Sequence, residues 1–252
     1  MVRSDIRIDK KFINKRKSLG HDLWDAPLFA LVEIQEAEKK VELKIGLCTY
    51  FQYVSSCEKI GEESINNKRK LRDKFLPDIE TVSKCPLNAH GIGVAFVIAV
   101  KEGDTYRILL QKRGMSTVNH LGTIASVPTF AFQPIKEDYE NEINIEYQFL
   151  REYYEELHDR EDLIKRNKNL AYNWFYNHNP IKRIRDLMAK ELFEIVPLGF
   201  GFDALNGEAI LAYLAIIDDE DFGKMRRRKS YLIGKLIMYW INRLMMVIWK
   251  IF

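Results

Sequence analysis

The segment from residue 151 to residue 157 reads Arg-Glu-Tyr-Tyr-Glu-Glu-Leu, and the interpretation of the surrounding chain depends on it. In a helix, Glu152, Glu155 and Glu156 stand at positions i, i+3 and i+4, so three carboxylates share one face within one turn. Like charges at this spacing destabilise a helix by about 0.2–0.5 kcal/mol per pair, which favours a cation beside them. Mg²⁺ suits such a cluster because it takes oxygen ligands and keeps waters that can attack a phosphate.

The same spacing also fits an ordinary solvated helix face. Arg151 precedes Glu155 by four residues, and Glu156 precedes Arg160 by four. Ion pairs along the helix would then balance the charges without a metal. The residue pattern alone leaves both interpretations open.

A helix is predicted around this segment, from an N-cap at Asn144 to about Arg160. Its other side carries apolar residues suited to docking on a sheet. These residues are Ile145, Phe149, Leu150, Tyr153 and Leu157. The pattern predicts a docked helix whose acidic face is free for chemistry.

Strand signals flank the predicted helix on both sides. Apolar runs at residues 91–100 and 106–113 meet at Gly103-Asp104 and predict a β-hairpin. Residues 195–202 and 209–217 predict two later strands. The helix therefore lies, in sequence, between elements of one sheet.

The N-terminal part predicts a smaller α+β region. Residues 28–34 and 41–54 predict two antiparallel strands, and residues 58–75 predict a surface helix. Another helix is predicted over residues 185–193. The expected fold class is α/β of the α+β type, divided into an N-terminal region, a central domain and a C-terminal helix at residues 1–88, 89–224 and 225–252.

The order of hairpin, glycine-marked loop, Arg-Glu-x-x-Glu-Glu helix and further strands resembles the Nudix fold. Residues 151–156 fit the Arg-Glu-hydrophobic-x-Glu-Glu core of the Nudix box, and residues 109–113 resemble the strand that precedes it. The similarity covers about residues 89–222, and it implies a mixed sheet flanked by helices. The chain is also similar to bacterial proteins in which a Nudix-like domain follows a small N-terminal domain.

The resemblance implies a chemistry and a set of site residues. It implies a hydrolase that uses Mg²⁺ or Mn²⁺ and attacks, with water, a phosphoanhydride in a nucleoside diphosphate derivative or related nucleotide metabolite. By position, Glu152, Glu155 and Glu156 would be metal ligands. Glu155, Glu156 and Arg151 would be the catalytic set, with Arg151 orienting the glutamates.

The chain also departs from the Nudix pattern. Glu137 and Ile143 stand where the pattern places a glycine and a glutamate, and His158 stands where it places a closing glycine. Glu142 and Glu146 are displaced acids, and a lengthened loop would deliver one or the other to the metal. The departures leave a second function open, a catalytically inactive Nudix-like module that binds a nucleotide or regulates.

Composition restricts the partners and the compartment. The chain has 252 residues, of which 39 are Lys or Arg and 36 are Asp or Glu, and the net charge of +3 does not call for a nucleic-acid partner. The three cysteines form no zinc pattern, and their odd number argues against a disulfide framework. With no secretory signal at the N-terminus, the cytoplasm is the expected location.

The C-terminal tail, residues 231–252, is mostly apolar and follows a basic run at 226–229. As a helix it would carry one wetter stripe that includes Lys235 and Arg243. Three interpretations compete: a helix packed on the domain, on a partner or on a second copy of the chain, a basic helix lying on a membrane surface, or a terminus altered by a changed reading frame. Packing or partner contact is favoured over peripheral membrane attachment.

Three further residues are weighed as site candidates. His120 lies in the loop before the helix and would contact a substrate phosphate, and Asp203 or Glu208 would supply another carboxylate between the late strands. A loop histidine and turn residues are the favoured interpretations of all three.

Overall fold

The computed structural model describes residues 3–21, 23–37, 40–87, 89–112, 124–135, 138–158, 160, 171–222 and 236–241. These residues form an α+β fold in which helices flank a mixed sheet, as predicted. The chain divides into two compact units that are discontinuous in sequence. The first contains the residues up to Val94 together with Ala131–Ile143 and Phe200–Leu211, and the second contains Ala95–Phe130, Asn144–Gly199 and the residues from Ala212 onward.

This division differs in form from the predicted domains. The first break, after Val94, falls near the predicted boundary at residue 88. Two later segments also join the first unit, because strands and loops distant in sequence complete its fold.

The first unit is built on a long antiparallel hairpin. Pro27 pairs with Thr49 at its open end, and Ala37 pairs with Lys40 at its turn, which confirms the predicted N-terminal strand pair. The predicted helix over 58–75 is broken into shorter pieces. The elements of this part of the chain are α1 (Lys10–Ser18), β1 (Pro27–Ala37), β2 (Lys40–Thr49), α2 (Tyr50–Tyr53), a π-helical turn (Val54–Glu58), α3 (Lys59–Ile65), α4 (Lys70–Phe75) and α5 (Ile79–Ser83).

Caps and apolar side chains explain these elements. The Asp9 side chain accepts a hydrogen bond from Phe12 N at 3.0 Å and caps α1. Thr49 and Gln52 form a reciprocal capping box at α2, which ends β2 earlier than the predicted residue 54. The core of this unit includes the buried side chains Phe12, Ile13, Leu28, Ala30, Val54, Cys57, Ile60, Leu76 and Leu87.

The later part of the chain supplies the remaining strands and the glutamate helix. Glu102 pairs with Thr105 across the turn at Gly103, whose φ of 59° lies in the left-handed region that glycine tolerates, so the predicted hairpin is confirmed. The elements are β3 (His90–Glu102), β4 (Thr105–Lys112), β5 (Ile124–Ser126), β6 (Thr129–Ala131), α6 (Tyr139–Glu142), α7 (Ile145–His158), a 3₁₀ turn (Trp174–Asn177), α8 (Asn179–Ala189), β7 (Phe193–Phe202), β8 (Ala209–Ile217) and β9 (Leu236–Ile241).

The helix predicted over residues 185–193 is corrected at both ends. The helix predicted over 185–193 begins earlier, at Asn179, because Pro180 occupies its first turn, where the missing N–H costs nothing. It ends at Ala189, and Phe193 already begins a strand.

The C-terminal helix prediction is wrong where the structure describes the tail. Residues 236–241 form β9, which pairs antiparallel with β4, with Ile241 opposite Tyr106 and Leu236 opposite Gln111. The run Leu-Ile-Met-Tyr-Trp-Ile contains β-branched and aromatic residues that favour a strand when a partner strand is present. Residues 223–235 and 242–252 lie outside the described residues, and so do His120 and Glu137. Across the described part of the chain, the helices are too short or too polar to cross a membrane.

Candidate metal centre

The helix that carries the glutamates begins as the sequence predicts. The Asn144 side chain accepts a hydrogen bond from Tyr147 N at 3.0 Å, and its carbonyl accepts one from Gln148 N at 3.0 Å. These bonds satisfy amide groups that the first turn of a helix leaves without partners. The helix α7 then runs from Ile145 to His158.

The acidic face of α7 is not free, which corrects the prediction of an exposed carboxylate cluster. Every residue from Tyr147 to Glu155 is buried, so the helix is enclosed all round over more than two turns. Glu152 and Glu155 are only 6% and 8% exposed, whereas Glu156 is half-buried. The acid nearest to solvent is therefore Glu156.

Aromatic packing from separate elements encloses the helix. The Phe149 ring lies 4.8 Å from that of Phe96 on β3 and 5.3 Å from that of Phe193 on β7. Phe175, in the 3₁₀ turn, lies 5.9 Å from the rings of both Tyr147 and Tyr154. Residues far apart in sequence thus cover two sides of α7, which the pattern of the helix alone does not reveal.

Arg151 is the most deeply buried charged residue of the cluster. Its side chain is 0% exposed, and its Nη2 donates to Gln148 Oε1 at 2.7 Å and to Glu152 Oε1 at 2.5 Å. A buried carboxylate is costly without a cation and hydrogen bonds, and Arg151 supplies both to Glu152. The structure thus brings Arg151 and Glu152 together. The predicted role of Arg151 in orienting the glutamates requires such a contact.

Glu156 connects α7 to two strands. Its Oε1 accepts from Thr129 N on β6, and its Oε2 accepts from Gln111 Nε2 on β4, both at 3.3 Å. These distances lie beyond the usual 2.7–3.2 Å range, so the bonds are weak. They orient the Glu156 carboxylate toward β4 and β6.

The cluster suits a hard cation by its chemistry. Carboxylate oxygens are the ligands that Mg²⁺ prefers, and Mg²⁺ usually keeps waters and uses only one or two carboxylates of the protein. Among the residues that the structure describes, no three His, Cys, Asp or Glu side chains are placed to share one metal ion. A site at this turn would therefore use one or two of the three glutamates, with water completing the coordination.

The displaced acids occupy different environments. Glu142 is 0% exposed and accepts from Ile135 N at 2.8 Å and from Asp138 N at 3.2 Å, so its carboxylate connects these two residues to α6 within the first unit. Glu146 is exposed in the first turn of α7, where a negative charge suits the helix dipole. Both positions have a structural explanation.

The other candidate residues also have structural contacts. The His158 ring, at the last position of α7, lies 5.3 Å from the Tyr153 ring. Asp203 accepts from Leu205 N at 2.8 Å, as a turn residue does. Glu208 accepts from the Tyr53 hydroxyl at 3.1 Å, and burial raises the pKa of its carboxyl.

Three polar partners of the cluster were not singled out by sequence reasoning: Gln148, Gln111 and Thr129. Gln148 is 0% exposed and lies three residues before Arg151 on the same helix face, so its spacing was a usable signal. Gln111 and Thr129 give no such signal, because they reach Glu156 from other strands.

Comparison with models of known protein families finds none that matches this chain, and comparison with characterised proteins finds no match. Functional assignment therefore depends on the residues of the site and on the order of the elements around it.

Proposed function

We propose that this protein is a divalent-metal-dependent hydrolase of a phosphoanhydride in a nucleoside diphosphate derivative or a related nucleotide metabolite. The observation that carries the proposal is the acidic turn of α7, where three glutamates lie within about one turn and a buried guanidinium pairs with one of them. The Nudix-like order of elements around this turn supplies the reaction class.

Each residue of the turn has a distinct part in this proposal. Glu156, the most accessible of the three acids, and Glu155 are the proposed ligands and catalytic carboxylates. Glu152 completes the acidic turn and is oriented by Arg151. A bound Mg²⁺ or Mn²⁺ would lower the pKa of a coordinated water and offset charge on the phosphates.

A second candidate function is a Nudix-like module that binds a nucleotide metabolite without cleaving it. The observation that favours it is the burial of Glu152 and Glu155 together with the strand contacts of Glu156. A turnover site needs a water and a substrate phosphate to reach these carboxylates. A binding module needs only that a ligand reach Glu156, the half-buried acid nearest to solvent.

The two functions are separated by a screen of nucleoside diphosphate derivatives with Mg²⁺ and with Mn²⁺. Wild type is compared with Glu155→Gln and Glu156→Gln, which remove a charge while keeping the side-chain shape. Glu146→Gln is the matched control, because Glu146 lies on the same helix but is exposed in its first turn. Removal of a metal-bound acid or base is expected to lower kcat by about 100-fold or more.

Metal-dependent product formation that is lost in Glu155→Gln or Glu156→Gln and kept in Glu146→Gln supports the hydrolase. Thermal stabilisation by a nucleotide without product supports the binding module. If neither substitution in the acidic turn alters metal affinity, the assignment of the metal site is wrong.

A further inference from the structure

A recess of about 570 Å³ opens beside the start of α1 in the first compact unit. Volumes of roughly 300–1,000 Å³ are typical of sites for small molecules. The recess is lined by Arg7, Ile8, Asp9, Lys10, Ser55 and Lys59. Its lining thus brings three cationic side chains and one acidic side chain to one place.

The negative charge of the acidic residue in the lining is already balanced by a lysine. Lys59 Nζ donates to Asp9 Oδ2 at 2.7 Å, and Asp9 Oδ1 accepts from Phe12 N at 3.0 Å. The hydrogen bond from Lys59 lowers the pKa of the Asp9 carboxyl, so this group is ionised and paired. Asp9 itself also caps the N-terminus of α1, and the site does not depend on free amide groups there.

Two cations of the lining remain available. Arg7 and Lys10 are exposed, and neither forms an ion pair with the residues that the structure describes. Further along α1, Lys15 pairs with Glu62 and Arg16 pairs with Glu58. Because Asp9 is matched by its own lysine, the recess keeps an excess of two positive charges.

A hydroxyl group adds a neutral donor. Ser55 Oγ accepts a hydrogen bond from Asp9 N at 2.9 Å, and a hydroxyl that accepts in this way retains its proton for donation. An arginine fork, an ammonium group and a hydroxyl together match the several acceptor oxygens of a phosphate.

We propose that this recess binds a soluble small molecule through a phosphate or diphosphate group, held by Arg7 and Lys10 with Ser55 as a third donor. The recess is partly open to solvent, and its volume of about 570 Å³ has room for a small phosphorylated metabolite. The site is independent of the acidic turn of α7 and needs no divalent metal.

The test is calorimetric titration of the full chain with inorganic pyrophosphate in buffer containing EDTA. The Arg7→Gln/Lys10→Gln variant is expected to bind about tenfold more weakly than wild type. Lys11→Gln/Lys17→Gln removes the same charge from α1 outside the lining and is expected to keep wild-type affinity. Thermal melting of each variant checks that it is folded, as expected for substitutions at exposed positions.

Three results would overturn the proposal. In the first, wild type fails to bind pyrophosphate. In the second, the two double variants weaken pyrophosphate binding equally, which would show non-specific attraction by net charge. In the third, vesicles containing phosphatidic acid would bind and excess pyrophosphate would not displace the protein, which would assign the cations to a lipid surface. Glu155→Gln should leave pyrophosphate binding in EDTA unchanged, so failure of the hydrolase proposal is distinguished from failure of this one.

Discussion

At the scale of single residues, Arg151 couples the stability of α7 to the geometry of its acidic turn. Its guanidinium is fully buried, and its Nη2 donates hydrogen bonds to both Gln148 and Glu152. The pair stabilises the fold only while both members are present, because desolvating one charge alone is costly. The same contact therefore affects stability and the proposed orientation of the carboxylates.

We expect Arg151→Met to destabilise the protein by about 3–5 kcal/mol, since it leaves the Glu152 carboxylate buried without its cation. The free energy of unfolding from urea denaturation measures the effect. The Arg151→Met/Glu152→Gln double variant should recover part of this loss because it removes the charge that Arg151 balanced. A loss under about 0.5 kcal/mol for the single variant, typical of a surface substitution, would contradict the buried ion pair.

At the scale of elements, the start of α7 is defined locally. Asn144 supplies both the side-chain and the carbonyl acceptor for the first turn, which is why an N-cap could be predicted from sequence.

Asn144→Ala should cost about 1 kcal/mol of stability, whereas Asn144→Ser should retain most of it because a hydroxyl can still cap the helix. Thermal and urea unfolding of the two variants measure the difference. Equal losses in both would show that the cap is not what stabilises this end.

The burial of the acidic face could not be predicted from the helix sequence. Gln148, Arg151, Glu152 and Glu155 form a polar stripe, and a polar stripe on an amphipathic helix normally faces solvent. Here segments distant in sequence pack around α7: Phe175 lies against Tyr147 and Tyr154, and two strands contact Glu156. Local patterns therefore fixed the ends of α7, while contacts between distant segments fixed the exposure of its carboxylates.

The tail shows the same distinction. A short apolar run such as 236–241 has no period that separates a buried helix from a strand. Its backbone groups pair with β4, more than a hundred residues earlier, and this pairing decides its conformation. The hairpin of β3 and β4 was predictable because its turn signal lies between the two strands.

At the scale of the whole molecule, buried ionisable groups make stability depend on pH in opposite directions. Burial lowers the pKa of His90 and raises the pKa values of the Glu58 and Glu208 carboxyls. The native state therefore binds fewer protons at His90 than the unfolded chain does, and more at the two glutamates. The contribution of His90 to the free energy of unfolding falls as pH decreases below about 6.5. The contribution of the two glutamates rises as pH decreases toward the ordinary pKa range of a glutamate carboxyl.

The effect of His90 on stability can be treated apart from that of the glutamates. Two backbone groups fix the tautomer of its neutral ring, so the atom that would take up a proton is defined. Nε2 accepts from Leu87 N at 3.3 Å, so the neutral ring carries its proton on Nδ1 and donates to the Gly207 carbonyl at 2.6 Å. Protonation of Nε2 would place a second N–H against the Leu87 amide in a fully buried site. That contact and the buried charge destabilise the folded state when His90 must be protonated. The loss is absent above the unfolded-state pKa, where the ring is neutral in both states, and it grows as pH falls below that value.

We expect the free energy of unfolding of the wild type to decrease from about pH 7 to about pH 5 relative to that of His90→Gln, whose side chain does not titrate. Urea unfolding at several pH values measures this difference, which removes the shared contribution of Glu58 and Glu208. The Glu208→Gln variant serves as the control: it should change the opposite-sign slope and leave the His90-dependent difference in place. If the wild type and His90→Gln differ by a constant amount across this range, His90 titrates alike in the folded and unfolded states, and its neutral buried form does not contribute to the pH dependence.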